Sequence, residues 1–567
     1  MKTDALYLPP RFNLMALGRD QLIQATGLLL GIGGLLVAMV LPLWAILSKS
    51  MQDKAGNFVG LQNFIDYAST PSLFSSITHS LTIATVTTVV VLVLALLTAY
   101  ALSRSCMPYK GVIRTIMMAP IFAPSLLPAI SLVYLFGNQG VLKSWLMGET
   151  IYGPIGIVIS LAFWCFPAAT MILMTALSNT DARLYESAKA LRTSPVRTFF
   201  TVTLPSIKYG LVSAGFVVFT LVITDFGAPK VIGGQYNVLA TDIYKQVIGQ
   251  QNFQMGAVVS VILLLPAILA FTVDRWVQKK QVALLTARAE PLRPKPNRRK
   301  DLTLLLLCLP IIMTIIGVLG IAVYASLVTF WPYNLELTLN NYQFDLMDGG
   351  GWEAYYNSLQ LGLWVALFGT TLIFTNAYLV EKVPNMRGLR SVMHLSAMIP
   401  LAVPGLVLGL AYIFFFNSPD NPFNGLYGTM AILVICTIAH YYTVCHLTAV
   451  TALKQIDPEF EAVSASLKVP FYVTFWRVTL PVCLPALLEI AIYLFVNALN
   501  TVSAVVFLYS TDTMLASVAV LNMDDAGDIA PAAAMGVMLM LTCFAAKLVH
   551  WILSRQLIQR TQAWRNN

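Results

Sequence analysis

"YESAKALRTSPVRTFFTVTLP" (Tyr185–Pro205) and "FEAVSASLKVPFYVTFWRVTLP" (Phe460–Pro481) are two versions of one charged, amphipathic stretch, and their closing pairs, Leu204-Pro205 and Leu480-Pro481, lie almost half the chain apart. Both sit in a chain of 567 residues that is 57% hydrophobic and only 11% charged. A soluble globular chain carries about 25% charged residues, so most of this one cannot face water. Runs such as 81–101 and 302–328 are long enough to cross a bilayer, which takes about 20 apolar residues. The expected class is an all-α, polytopic membrane protein in which the paired stretches mark a duplication.

Outward from the two stretches the repeat continues. Leu61–Phe64 ("LQNF") matches Leu339–Tyr342 ("LNNY"), Ser80 matches Ser358, and Ala99-Tyr100 matches Ala377-Tyr378, all at an offset of 278. Pro108–Arg114 parallels Asn385–Arg390, and Pro120 and Pro124 match Pro400 and Pro404. Apolar runs place spans near 23–48, 81–103, 115–137, 154–178, 209–228, 254–275, 302–330, 358–380, 392–416, 428–452, 482–507 and 529–553. The chain therefore reads as a first six-span repeat (1–275), a basic linker (276–301) and a second six-span repeat (302–567), twelve spans in all. Six is even, so both copies cross in the same sense, as parallel repeats related by an axis along the membrane normal. Such a pair encloses a seam at its centre, which is transporter architecture.

The net charge of +9 does not point to nucleic acid. Nine basic residues (Arg275, Lys279, Lys280, Arg288, Arg293, Lys295, Arg298, Arg299, Lys300) lie in or beside the linker, a pattern that faces anionic lipid. Loops 331–357, 417–427 and 508–528 hold no Lys or Arg, whereas the alternate loops carry Lys382, Arg387, Arg390, Lys454, Lys468 and Arg477. Both termini are expected on the cytoplasmic side by that asymmetry. The first half follows more loosely, with Lys54, Lys143, Lys230 and Lys245 on the outer side. The first span is read as retained rather than cleaved. Seven cysteines and five histidines show no ligand spacing, so neither a disulfide nor a metal site is expected.

Each repeated stretch lies between the fourth and fifth spans of its half, in loops 180–208 and 454–484. Asp181 or Thr180 can cap one helix, and Asp457-Pro458 opens its counterpart. Leu184, Ala188 and Leu191 fall on one face, and Ser194-Pro195 starts a second short helix over 196–202. The result is a helical elbow with an apolar side to cover, either against its own bundle or in the groove of a separate protein.

The order Glu-x-Ala-x-x-Leu, Ser-Pro, Phe, Val-Thr-Leu-Pro resembles the EAA loop of ABC importer permeases. The first copy supplies Glu186, Ala188, Leu191, Ser194, Pro195, Phe199, Val202, Leu204 and Pro205; the second supplies Glu461, Ala465, Leu467, Phe475, Val478, Leu480 and Pro481. Two departures stand out. The family's glycine after the leucine is Arg192 in one copy and Lys468 in the other, and Ala462 stands where Glu186 stands. Over its whole length the chain is similar to the fused, two-copy permeases of the ferric iron, polyamine and phosphonate branch. Thr224–Val258 and Asn497–Ser510 look most like permeases assigned to 2-aminoethylphosphonate.

The resemblance implies coupling helices seated on two copies of a cytoplasmic ABC ATPase, a bacterial inner membrane location, and alternating access driven by ATP. It also implies a separate periplasmic or lipid-anchored binding protein, since no outer loop is large enough to be one. The chain has no G-x-x-x-x-G-K-[ST]. It is not expected to be an enzyme or to bind a cofactor itself, leaving ATP and Mg to the ATPase.

Route candidates are polar residues at membrane depth: Asp225 and Lys230 at the outer end of span five, Asn497 and Asn500 on span eleven, where interhelical hydrogen bonding is the alternative role, and Glu489 nearer the inner end of that span, to serve a gate or to pair with a basic residue. Pro124 and Pro404 are further candidates, as kinks that free backbone carbonyls beside a water-lined path. His440, Tyr441 and Tyr442 are expected to pack. A major-facilitator transporter, which also has twelve spans, would carry an Asp-Arg-x-Gly-Arg-Arg signature between spans two and three, where this chain reads "SRSCMPYKGVIR". An enzyme would need paired carboxylates, a histidine cluster or a nucleophile motif, and none is evident.

Overall fold

The computed structural model describes residues 18–282, 292–383 and 386–561. Arg288 and the rest of 283–291 lie outside the described residues, as do Asn385 and the side chains of Lys279 and Lys280. Among the described residues nine helices are long and apolar enough to cross a membrane: Arg19–Ser50, Pro71–Arg104, Pro154–Ser178, Pro195–Thr224, the helix from Phe253, Arg298–Ser326, Gly351–Lys382, Met430–Lys454 and the helix from Ile529. Three bent pairs bring the number to twelve: Lys110–Phe122 with Leu126–Phe136 (102°), Arg387–Ala402 with Gly405–Phe416 (111°), and Phe471–Val482 with Leu484–Asn500 (75°). They are numbered spans one to twelve in chain order, so the bent pairs are spans three, nine and eleven. A short antiparallel hairpin, Val328–Phe330 with Asn334–Leu337, follows span seven.

The prolines break spans three and nine rather than kink them. Each first segment ends in a 3₁₀ turn, Ala119–Phe122 or Ile399–Ala402. The next residue, Ala123 (ψ 137°) or Val403 (ψ 116°), is extended, because the ring of the following proline disfavours helical geometry there. Spans five and eleven differ from the expected bounds in another way. The short helix expected at 196–202 is the first turns of span five, which runs unbroken through Leu204-Pro205 and ends at Thr224. A π-turn at Phe199–Thr203 lies directly before that pair, in position to take up the irregularity a proline introduces. Span eleven has the same π-turn at Phe475–Thr479 but bends at Cys483, where Pro485 adds a second ring; the matching residue in span five is Tyr209. It ends at Asn500 and not at 507, and residues 501–508 turn away.

The halves exchange their first helices. Span one packs on spans eight and nine, with the Tyr412 hydroxyl donating to the Ala38 carbonyl (2.8 Å). Span seven packs on span three and on the end of span two, where the Asp301 carboxylate accepts from the Cys106 backbone N–H (2.9 Å). Each half is thereby clasped by a helix of the other.

The two elbows are near copies. Their helices are Ala182–Ala190, where Asp181 accepts from the Arg183 N–H (3.0 Å), and Glu459–Ser466, where Asp457 accepts from the Glu459 N–H (3.0 Å). Both end in a left-handed residue, Arg192 (φ 51°) and Lys468 (φ 54°), where the resembling family has glycine. The turn closes by Thr193 N–H to Ala188 O (3.1 Å) and Val469 N–H to Ser464 O (2.9 Å), as a helix C-cap does. The strained conformation is kept despite the side chain, at about 1 kcal/mol or more per site. Arg192→Gly and Lys468→Gly should each raise stability by about 0.5–1 kcal/mol, part of the relief being offset by glycine's larger unfolded-state entropy. Thermal unfolding of the detergent-solubilised protein checks this: an unchanged or lower midpoint contradicts it.

Candidate functional site: a cavity between the halves and two elbows

Where the halves meet, spans three to six and nine to eleven enclose a cavity of about 380 Å³. Its wall takes Ser125 from the break in span three, Trp164 from span four, and Thr220, Thr224 and Asp225 from span five and its end. Span six adds Asp274, the break in span nine adds Pro404 and Gly405, and span ten adds His440 and Tyr441. Span eleven and the turn after it contribute Asn497, Asn500, Thr501 and Ser503. The broken spans matter here because their unwound corners bring backbone and small side chains to the wall.

Superposing the two Leu-Pro pairs aligns Asp225 with Thr501, Trp164 with His440 and Thr224 with Asn500. The walls are related in position but not in chemistry. Asp225 accepts from the Ala228 N–H (3.0 Å) and from the Ser125 hydroxyl. Asp274 accepts from the Ser213 hydroxyl (2.6 Å). The Asn500 amide donates to the Phe122 carbonyl at the broken end of span three (3.4 Å), and the Asn497 amide donates to Tyr493 O of its own helix (2.8 Å). Two carboxylates thus line the cavity, and among the described residues no lysine or arginine does.

Of the sequence-derived route residues, Asp225, Asn497, Asn500 and Pro404 line the cavity; Pro124 does not, although its neighbour Ser125 does, and neither does Lys230. Glu489 is not a wall residue and takes the alternative expected for it, a basic partner. It lies away from the cavity, 56% exposed, bound to Lys547 (3.2 Å) and His550 (3.2 Å) on span twelve. It holds the position that Ser213 holds in the first half, so both positions tie a fifth helix to a sixth. His440 and Tyr441, expected to pack, are in the wall, while Tyr442 does pack and accepts from the Asn376 amide (2.8 Å). The repeat held a signal for His440, namely its match to Trp164. Nothing local marked Asp274.

On the side away from the elbows, the segments after spans five and eleven join the halves. Lys230 pairs with Asp525 (2.9 Å) and lies over the Tyr244 ring, which stacks on Phe507. Burial, and next the Asp525 carboxylate, push the neighbouring Asp524 carboxyl up to about 6 against the pull of Lys230.

The elbows split into inward and outward sides. Glu186, Leu191 (78% exposed), Ser194, Pro205, Ala465, Leu467 (70% exposed) and Pro481 face out, and Leu204 and Leu480 are half-buried. The single apolar face expected for Leu184, Ala188 and Leu191 is divided, since Ala188 is buried against the bundle and the two leucines are exposed. Glu461 also departs from expectation. One step before the place of Glu186 in the repeat, it pairs inward with Lys382 (3.0 Å) instead of facing out.

The profile of the family described as binding-protein-dependent transport system inner membrane component matches residues 92–282 and again 377–559, each match holding one elbow. The chain belongs to that family. This permease is 29% identical over 463 residues to the ferric transport system permease protein FbpB of Actinobacillus pleuropneumoniae, covering 78% of the chain and 66% of that relative. It is 28% identical over 423 residues to a ferric transport system permease protein, FbpB 1, of Haemophilus influenzae, covering 70% of the chain and 64% of that relative. The permease thus spans just under two thirds of the length of both. A bacterial ABC transporter involved in import of the acidic polysaccharide alginate matches at TM-score 0.39 and 16% identity, over 47% of this chain and 97% of that one. The two matched repeats and the candidate membrane helices make the chain a multi-pass member of that inner membrane transport family, and the relatives named are transport permeases rather than enzymes.

Proposed function

We propose that this permease forms the membrane route of an ATP-driven importer whose cargo is a hard cation, ferric ion in the first place. The carrying observation is the cavity wall, with Asp225 and Asp274 but no lysine or arginine among the described residues. The remaining polar groups there are largely oxygen donors, from Thr220, Thr224, Tyr441, Asn497, Asn500, Thr501 and Ser503, the ligand type a hard ion prefers. The ferric permease relatives support the same reading. The likeness to 2-aminoethylphosphonate permeases is weaker support, because the wall offers carboxylates for that zwitterion's ammonium but, among the described lining residues, no lysine or arginine for its phosphonate. Among the described residues no three His, Cys, Asp or Glu cluster as a chelate, which suits a cargo in passage rather than a resident ion.

In this reading the elbows, with Glu186, Leu191 and Leu467 outward, seat on two ATPase subunits that hold ATP and Mg. A separate binding protein delivers the cargo, the membrane is the bacterial inner one, and both termini are cytoplasmic. The test is reconstitution of the full chain, with the ATPase and binding protein found beside it, into lipid vesicles. Uptake of radiolabelled ferric ion should require ATP and exceed that of 2-aminoethylphosphonate and of spermidine. Preferential phosphonate uptake overturns the cation assignment; spermidine preference moves it to polyamines. Transport by the permease alone on an ion gradient overturns the ATP-driven reading.

A further inference from the structure

Arg104 ends span two and Lys382 ends span eight, and the two are matched at the same offset that pairs Ser80 with Ser358. Both cations are withdrawn from solvent: Arg104 is 4% exposed and the Lys382 side chain 8%. Basic residues are almost never buried unless paired. Each reaches across to the elbow of its own half. The Arg104 guanidinium donates to Leu177 O (2.9 Å) at the end of span four, to the Thr180 hydroxyl and to the Tyr185 hydroxyl (3.4 Å), which in turn donates to Thr203 (3.1 Å). The Lys382 ammonium donates to Ile456 O (3.3 Å), just past span ten, and pairs with Glu461 (3.0 Å).

Tyr185 and Glu461 are the same position of the repeat. One cation per half therefore knots three elements: the end of the second or eighth span, the end of the fourth or tenth, and the elbow helix. The knot matters because the elbow helices have little else to hold them. Only Ala188 is buried in the first, and no residue is buried in the second.

We propose that Arg104 and Lys382 are positioning residues for energy coupling. Each makes its elbow move as one body with the spans that wall the cavity, so that force applied to the elbow reaches Trp164 or His440 instead of being lost in a rocking helix. In the second half the knot is an ion pair, and its polarity can be exchanged. The inference rests on the reading that ATPase subunits act on the elbows.

The experiment uses the assembled complex of the full chain and its ATPase, with Ser503→Cys as a reporter in the cavity and Cys106, the exposed native thiol, replaced by serine. The rate of reaction of the reporter with a water-soluble maleimide is measured with and without ATP and vanadate. Trapping nucleotide should change that rate by about fivefold or more in the parent, the scale of a typical coupling free energy. Lys382→Met and Glu461→Gln should still trap nucleotide but lose the change, and the exchange Lys382→Glu with Glu461→Lys should restore it. Should Lys382→Met fail to assemble, Glu461→Gln, which keeps shape and volume, carries the comparison. A full response in either single variant, or no rescue by the exchange, overturns the proposal, since a merely structural pair would not separate trapping from cavity response. If the parent binds no ATPase or shows no response, it is the reading of the elbows that falls, and this inference with it.

Discussion

Asparagine at position 225 should lower ferric ion uptake by about 10- to 100-fold, the weight of one charge-assisted contact, while the complex assembles normally. The substitution is selective because the Asp225 carboxylate has two roles. It caps the helix Gly227–Ile232 by accepting from the Ala228 N–H (3.0 Å), which an asparagine oxygen can also do, and it puts negative charge on the cavity wall, which asparagine cannot. Alanine removes both, and should add about 1 kcal/mol of destabilisation from the lost cap. Glu489→Gln is the control: it removes a carboxylate of the same membrane protein that lies on span twelve's side and not in the wall, so uptake should hold near the parent value. Initial uptake rates in reconstituted vesicles, with the thermal midpoint of each variant, separate these outcomes. Wild-type transport by the asparagine variant would remove the electrostatic basis for a cationic cargo.

Gly210→Ala should cost about 1–3 kcal/mol, the usual penalty of overpacking, and lower the yield of folded protein. Gly210 on span five faces Ala176 on span four, and a methyl group at 210 would stand well inside van der Waals contact with the Ala176 methyl. Both helices are committed there, because span four ends just beyond, at Ser178, and the elbow returns directly into span five. Exchanging the two residues, Ala176→Gly with Gly210→Ala, keeps one methyl at the crossing and one glycine in a helix. It should recover most of the loss, since the helix-propensity terms nearly cancel. Thermal unfolding of the three variants decides the matter: a double variant no better than Gly210→Ala alone shows that the crossing is not set by size.

Much of the site was legible in the primary sequence for one physical reason. A polar group inside an apolar run is expensive, so Asp225, Asn497 and Asn500 could be picked out one at a time, and all three line the cavity. For Glu489 the same reasoning left a gate or a basic partner open, and the second holds: its compensation comes from Lys547 and His550, both on the next span and far along the chain. Aromatic residues give no comparable signal, because His440 and Tyr441 suit a packed interior as well as a wall. That Glu461 stands one step out of register with Glu186, at the place of Tyr185, was legible in the repeat, but only the approach of Lys382 reveals that its carboxylate turns inward.

What the sequence determined by itself was whatever depends on neighbours along the chain or on comparison of its two halves: twelve apolar segments, the duplication, the capped elbows, and prolines at matched places. Hydrophobic length, capping and ring sterics act within a few residues, so no knowledge of the fold is needed to read them. Tertiary structure alone decided that the prolines of spans three and nine break the helix by 102° and 111°, since the freed groups must find partners elsewhere, as Phe122 O finds Asn500. It alone decided that the halves exchange their first helices, and that two matched cations, one from each half, knot the elbows to the cavity walls. Those outcomes turn on which surfaces meet, and a chain read in order does not contain that information.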